Sequence, residues 1–267
     1  MKLQTLHLRR ADETRRAVFA VVSESDLARY ETDATPLLSA TEQAQLAGMQ
    51  FAPKRQSFLL GRLAAKTALG AVLGEPNLPS IEIPSGVFGQ PLVRHPRALG
   101  LEVTLSHSHG LAVALAFPSA WPIGIDLETV APEVAATLLS AMNLSEAEQH
   151  WYAAAVGASP AAALNLASAC GVLWGAREAL GKAMKTAVNS PLGVLSACDI
   201  EPADGDATGT ALGAALGPAP GTAWCGGYTN FTQFKWCAQI IGDRVLTLAL
   251  PRAVEFDACL ALRLAAD

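Results

Sequence analysis

Short apolar runs bounded by polar or turn residues alternate along this chain with longer Ala- and Leu-rich stretches, and the two patterns predict different elements. Val18–Val22, Leu111–Ala116 and Gly124–Glu128 are too short for helices and predict buried strands. Ile81–Ile83 and Val103–Leu105 predict two more, set around the turn Gly89-Gln90-Pro91. Later, Val194–Ile200, Ala223–Tyr228, Phe234–Ile241 and Arg244–Leu250 predict a series of strands, and the Gly-, Ala-, Asp- and Pro-rich stretch 202–221 predicts a loop. Lys54–Leu73 and Ala161–Lys185 predict long helices.

One pattern occurs twice. Leu38-Ser39-Ala40-Thr41-Glu42-Gln43 is echoed by Leu144-Ser145-Glu146-Ala147-Glu148-Gln149, and in each a serine precedes a glutamate by three residues, the signature of a capping box. Each copy follows an apolar strand and precedes a long helix, so the order of elements points to an internal duplication. Helices combined with mostly antiparallel strands make an α+β protein. Two pseudo-symmetric halves are expected, residues 1–115 and 116–267, each a small sheet packed with a long helix.

The 267 residues are 51% hydrophobic, ample for a core, yet no run approaches the roughly 20 apolar residues of a membrane span. Arg9 and Arg10 interrupt the start before a leader's apolar region could form, so the expected location is the cytoplasm. Five scattered cysteines (Cys170, Cys198, Cys225, Cys237, Cys259), never spaced C-x-x-C, read as small apolar residues in a reducing compartment. The net charge of −5 divides unevenly: residues 1–100 carry twelve Lys/Arg against nine Asp/Glu, the remainder seven against fifteen. Such halves suit a ligand that is anionic at one end and metal-bound at the other, although charge alone reads as solvated faces. No dense basic stripe with interleaved aromatics marks a nucleic-acid binder.

Candidate chemistry lies in two places. On a strand, residues i and i+2 share a side, so Gly124-Ile125-Asp126-Leu127-Glu128 presents two carboxylates together. On a helix, i, i+4 and i+8 form one stripe, so Trp174, Glu178 and Lys182 align. Asp126, Glu128 and Glu178 brought together would repel one another without a cation, and oxygen-only ligands suit Mg²⁺, with Mn²⁺ possible. Lys182 adds a second positive charge for a phosphate ester. Taken singly, Asp126-x-Glu128 reads as an exposed strand end, and Glu178 with Lys182 as a surface i,i+4 pair of about 0.2–0.5 kcal/mol. His107-Ser108-His109 lacks the third ligand that a metal site needs.

Taken in order, these blocks resemble the 4′-phosphopantetheinyl transferases of the larger, surfactin-type group. The resemblance rests on Leu60-Gly61-Arg62-Leu63-Ala64-Ala65-Lys66, Gly89-Gln90-Pro91, Leu105-Ser106-His107-Ser108, Gly124-Ile125-Asp126-Leu127-Glu128 and the segment from Trp174 to Lys182. It implies a monomer of two pseudo-symmetric α+β halves that moves the phosphopantetheine arm of coenzyme A to a serine of an apo acyl or peptidyl carrier protein. The first half would take the 3′-phosphate and the second would hold the metal and do the chemistry. By the same resemblance Asp126, Glu128 and Glu178 would hold Mg²⁺, and Lys182 would contact the phosphates. Ser106 and His107 would bind the 3′-phosphate with help from Arg62. Glu178 would be the base for the serine hydroxyl, with Glu148 the alternative.

Three positions depart from the family pattern. Gln90 stands where a lysine is usual, Arg177 replaces the lysine before the glutamate, and Met184-Lys185-Thr186-Ala187-Val188 lacks a customary glycine. Two other readings use the same residues. One is a metal-dependent hydrolase of coenzyme A or a phosphodiester, with water as nucleophile. The other is a non-catalytic module that binds carrier protein or coenzyme A.

Overall fold

A computed structural model describes residues 1–157, 164–186, 191–203 and 223–256. The chain divides into two compact units, Met1–Leu8 with Thr14–Pro122, and Arg9–Glu13 with Ile123–Asp267. The division falls after Pro122 rather than at the expected 115, because the strand Leu111–Pro118 continues past that point.

In the first unit, strands β1 (Lys2–Arg10), β2 (Glu13–Ser23), β3 (Leu101–Ser108) and β4 (Leu111–Pro118) lie side by side in the order β1–β2–β4–β3. Helices α1 (Glu24–Glu31) and α2 (Ala40–Ala47) precede the long helix α3 (Ala52–Leu73), which packs across β3 and β4. Leu60, Leu63, Ala64 and Ala68 of α3 meet Val18, Ala20, Ala112 and Ala114 of the sheet in one core. Small alanines on both surfaces let helix and sheet approach closely. The hairpin joining β3 to β4 turns through His109 at φ 44° and Gly110 at φ 75°, the paired left-handed conformation that a two-residue hairpin requires. His109 is thus a turn residue.

In the second unit, β5 (Gly124–Glu128), β6 (Ala197–Pro202), β7 (Ala223–Tyr228), β8 (Phe234–Ile241) and β9 (Arg244–Pro251) form an antiparallel sheet in the order β5–β9–β8–β7–β6. Helices α4 (Pro132–Met142) and α5 (Glu146–Gly157) come before α6 (Leu166–Ala183), which lies over β5, β8 and β9. Asn165 caps α6 by accepting from the Ser168 amide at 2.7 Å, and the buried Tyr228 hydroxyl donates to the Ala176 carbonyl at 2.7 Å, tying helix to sheet. Among the described residues, no helix is long and apolar enough to cross a membrane.

Several expected elements differ. Ile81–Ile83 makes only the isolated bridge Glu82↔Arg94, since a three-residue run offers too few ladder bonds to persist as a strand. The stretch from 194 begins inside the 3-10 turn Leu192–Leu195, and β6 starts at Ala197. Helix α6 starts at Leu166, and residues 161–163 of the expected helix lie outside the described residues, as do Ala187, Val188, Cys259 and positions 204–221. Strand β1 was not anticipated, because His7, Arg9 and Arg10 break its apolar pattern to leave only Leu6 and Leu8 facing the core.

Candidate active site

Strand β5 reaches its place because its first residue has no side chain. A Cβ at Gly124 would lie 1.8 Å from the Ala179 carbonyl oxygen and 2.6 Å from the Ala183 amide nitrogen. Backbone therefore touches backbone where β5 meets α6, and only glycine permits it. That contact sets Asp126, two residues along the strand, against the helix turn carrying Glu178 and Lys182. Lys182 thereby meets both Asp126 and Glu178, and Glu128 lies within electrostatic reach of all three.

Asp126 is 1% exposed, and Lys182 Nζ donates to its Oδ1 at 2.7 Å. The same ammonium stands 3.7 Å from Glu178 Oε2. Both Glu178 and Lys182 keep about a fifth of their side-chain surface open, so solvent reaches them while Asp126 stays enclosed. Burial pushes the Glu128 carboxyl up to about 7, and the charges of Asp126 and Glu178 add to the effect against Lys182 and a Trp174 hydrogen bond. Burial likewise raises Glu178, Lys182 opposes it, and Asp126 adds to it. For Lys182, burial favours loss of the proton, but the three carboxylates outweigh it and raise its pKa.

The three carboxylates do not converge on one point. Among the described residues, no group of three His, Cys, Asp or Glu side chains could hold a metal ion as it stands, and the Lys182 ammonium serves as the local cation between Asp126 and Glu178. The donor chemistry nevertheless fits a hard divalent cation. All three candidate groups are carboxylates, and two of them, Glu128 and Glu178, hold protons more tightly than usual, chiefly through burial with neighbouring carboxylates adding to it.

Glu148 takes a different place. It is fully buried; Oε2 accepts from the Ser145 amide at 2.9 Å and from Arg177 Nη2 at 2.5 Å. Its Oε1 accepts from Arg177 Nε at 3.2 Å and the Ala197 amide at 2.9 Å. Four donors and no exposed surface leave this carboxylate no path to a substrate hydroxyl, so the geometry speaks against it as an alternative base. Arg177, which sequence alone marked only as a conservative exchange, is its buried counter-ion, also bonded to the Met142 carbonyl.

The first-unit candidates are divided among themselves. Arg62 is 9% exposed, its Nε 3.2 Å from Glu42 Oε1 and its guanidinium 4.4 Å above the Phe58 ring. Gln90 turns its side chain back into its own loop, where Oε1 accepts from the Phe88 amide at 2.9 Å and the amide group fills the space beside Gly86. Ser106 and His107 alternate on β3, the first buried and the second exposed. The role of Lys66, missed in the sequence, is an ion pair with Glu42 inside the core.

The family model of the 4′-phosphopantetheinyl transferase superfamily matches residues 122–248, the stretch that holds Asp126, Glu128, Glu178 and Lys182. That segment, a little under half of the chain, carries the likeness to this superfamily. No curated protein matches the chain's sequence. Solved structures similar to this chain include a holo-(acyl-carrier-protein) synthase from Bacillus anthracis in complex with coenzyme A (3′,5′-ADP), 18% identical, covering 43% of this chain and 97% of its own at a TM-score of 0.34. The holo-ACP-synthase of Plasmodium yoelii is 16% identical over 44% of this chain and 97% of its own, TM-score 0.34. The Helicobacter pylori holo-[acyl-carrier-protein] synthase in complex with coenzyme A is 20% identical over 38% and 97%, TM-score 0.31.

Proposed function

We propose that this protein moves the 4′-phosphopantetheine arm of coenzyme A to a serine of an apo carrier protein and releases adenosine 3′,5′-bisphosphate. The observation that carries the reading is the Asp126–Lys182–Glu178 ion-pair chain with Glu128 beside it, inside the segment matching the superfamily model. The repeated capping glutamates Glu42 and Glu148 support the larger, two-halved surfactin-type group.

Asp126, Glu128 and Glu178 would hold Mg²⁺, or Mn²⁺ in its place. When bound, the ion would neutralise charge on the coenzyme A pyrophosphate and lower the cost of its rearrangement. Lys182, kept protonated by its carboxylate neighbours, supplies a fixed positive charge for the phosphates. Glu178, with raised proton affinity and an open edge, accepts the proton of the carrier serine hydroxyl. The serine oxygen bonds to the β-phosphorus, the bond from that phosphorus to the bridging oxygen breaks, and the bridging oxygen leaves with adenosine 3′,5′-bisphosphate. In the first unit, exposed His107 suits a 3′-phosphate contact, whereas Arg62 and Gln90 are committed to internal contacts.

Intact-mass analysis of apo acyl and peptidyl carrier proteins, incubated with the protein, coenzyme A and Mg²⁺, tests this reading. A carrier that gains the phosphopantetheine mass supports it. Cleavage of coenzyme A with every carrier unmodified would replace it with the hydrolase reading, and binding without turnover would replace it with the binding module.

A further inference from the structure

Directly across the sheet from Asp126 lies a buried hydroxyl that the proposed chemistry leaves unused. Thr247 of β9 is the register partner of Asp126, so the two side chains emerge on the same face, beneath α6. Thr247 is 0% exposed, and its Oγ1 has no hydrogen-bond partner among the described residues. Burying an unsatisfied hydroxyl is unfavourable, and valine has almost the same shape without that penalty. A threonine here is explained if its proton is used in some state of the protein.

A candidate acceptor is Asp126, whose Oδ2 is likewise buried. A Cβ placed on Gly175 of α6 would meet Thr247 Oγ1 at 2.5 Å and Asp126 Oδ2 at 3.5 Å, so both atoms border the space that Gly175 leaves open. Lys182 engages the other oxygen, Oδ1. The two carboxylate oxygens therefore face different surroundings, the ammonium on one side and the Thr247–Gly175 gap on the other. When a carboxylate binds a cation, a neighbouring donor commonly fixes its orientation, and loss of such a donor costs roughly 10- to 100-fold in metal affinity.

We propose that Thr247 is a positioning residue whose hydroxyl orients the Asp126 carboxylate through Oδ2 for holding a divalent cation, with Gly175 kept free of a side chain to admit that contact. The proposal rests on the reading of Asp126 as a metal ligand.

The test uses Mn²⁺ binding to the full chain, followed by the electron paramagnetic resonance signal of the free ion, together with thermal unfolding without metal. Thr247→Val should unfold at the same temperature as the wild type or higher, because it removes an unsatisfied polar group, yet bind Mn²⁺ roughly 10-fold more weakly. Thr247→Ser, which keeps the hydroxyl, should bind within about 3-fold of the wild type, well short of the loss expected for a missing donor. Should valine prevent folding, Thr247→Ala carries the same expectation of weakened binding. Wild-type affinity in Thr247→Val, or in the alanine variant standing in for it, overturns the positioning role alone. Equal weakening in the serine and valine variants overturns it too, since shape rather than the hydroxyl would then matter. A wild-type protein that binds no Mn²⁺, with or without coenzyme A, overturns the metal reading and this proposal together.

Discussion

In the first unit, Glu42 closes a capping box with Ser39, accepts the Ile83 amide at 3.2 Å, and draws in Arg62 and Lys66 from α3. In the second, Glu148 closes the same box with Ser145, accepts the Ala197 amide at 2.9 Å, and draws in Arg177 from α6. Oxygen for oxygen the contacts correspond: Oε2 takes the capping amide and a terminal cation nitrogen, while Oε1 takes the guanidinium Nε side and the distant backbone amide. Even the neighbouring glutamines repeat, Gln43 donating to the Leu38 carbonyl at 2.9 Å and Gln149 to that of Leu144 at 2.8 Å.

The long helices then diverge. Phe58, Arg62 and Lys66 carry the i, i+4, i+8 stripe of α3, and Trp174, Glu178 and Lys182 that of α6. In the first unit the two cations of the stripe are drawn inward to the capping glutamate. In the second, Arg177, one position off the stripe, satisfies the capping glutamate, and Lys182 is left to face Asp126. Moving the cation by one residue turns it about 100° around the helix. The comparison teaches that a stripe becomes available for chemistry once another side chain takes over its structural duty.

The largest expected effect tests what is peculiar to the second unit. Gly124→Ala should cost about 4 kcal/mol or more, because neither the α6 backbone nor the β5 backbone can give way. Gly61→Ala in the first unit should change stability by less than about 1 kcal/mol, since its new Cβ would stand 3.4 Å from the Leu105 Cδ1. Urea unfolding of both variants measures the difference, and equal losses would break the contrast.

Next come the shared clamps. Glu42→Ala and Glu148→Ala should each cost about 3–5 kcal/mol by leaving buried cations without a counter-ion. A loss in one and not in the other, read from denaturant midpoints, would undo the structural equivalence. The catalytic side is sharpened by Glu178→Gln, expected to lower transfer about 100-fold or more at little cost in stability. Glu148→Gln should keep near-normal turnover per folded molecule, measured by the rate of carrier modification.

A smaller effect should follow pH. Glu128 and Glu178 hold protons more tightly folded than unfolded, so the folded state binds more protons and stability falls as pH rises. For Glu128 that window runs from its ordinary 4.5 to about 7. Thermal midpoints of the metal-free protein should decline across it, and Mg²⁺ should flatten the slope. A slope unaffected by Mg²⁺ would detach these carboxylates from the metal. The smallest change is expected from Gln90→Lys, whose side chain would leave the turn for solvent; titrating coenzyme A at low and high salt would reveal any gain.

Local patterns were legible in the sequence because they depend on residues close in the chain. The capping boxes at Ser39 and Ser145, the stripe on α6, and the pairing of Asp126 with Glu128 on one strand each follow from spacing and backbone period alone. The strands β7, β8 and β9 were likewise marked by short, largely apolar runs. What residue identity could not reveal was partnership. Glu148 and Glu178 are both acids on helices, yet one is enclosed by four donors and the other opens beside Lys182. Arg62 and Gln90 read as ligand contacts until the packing engaged them with Glu42, Phe58 and their own turn. Thr247 carries no signal at all in the sequence, since its meaning comes from the register that sets it opposite Asp126. Spacing along the chain fixes which side chains share a face; only tertiary packing decides which of them are satisfied within the fold and which remain for chemistry.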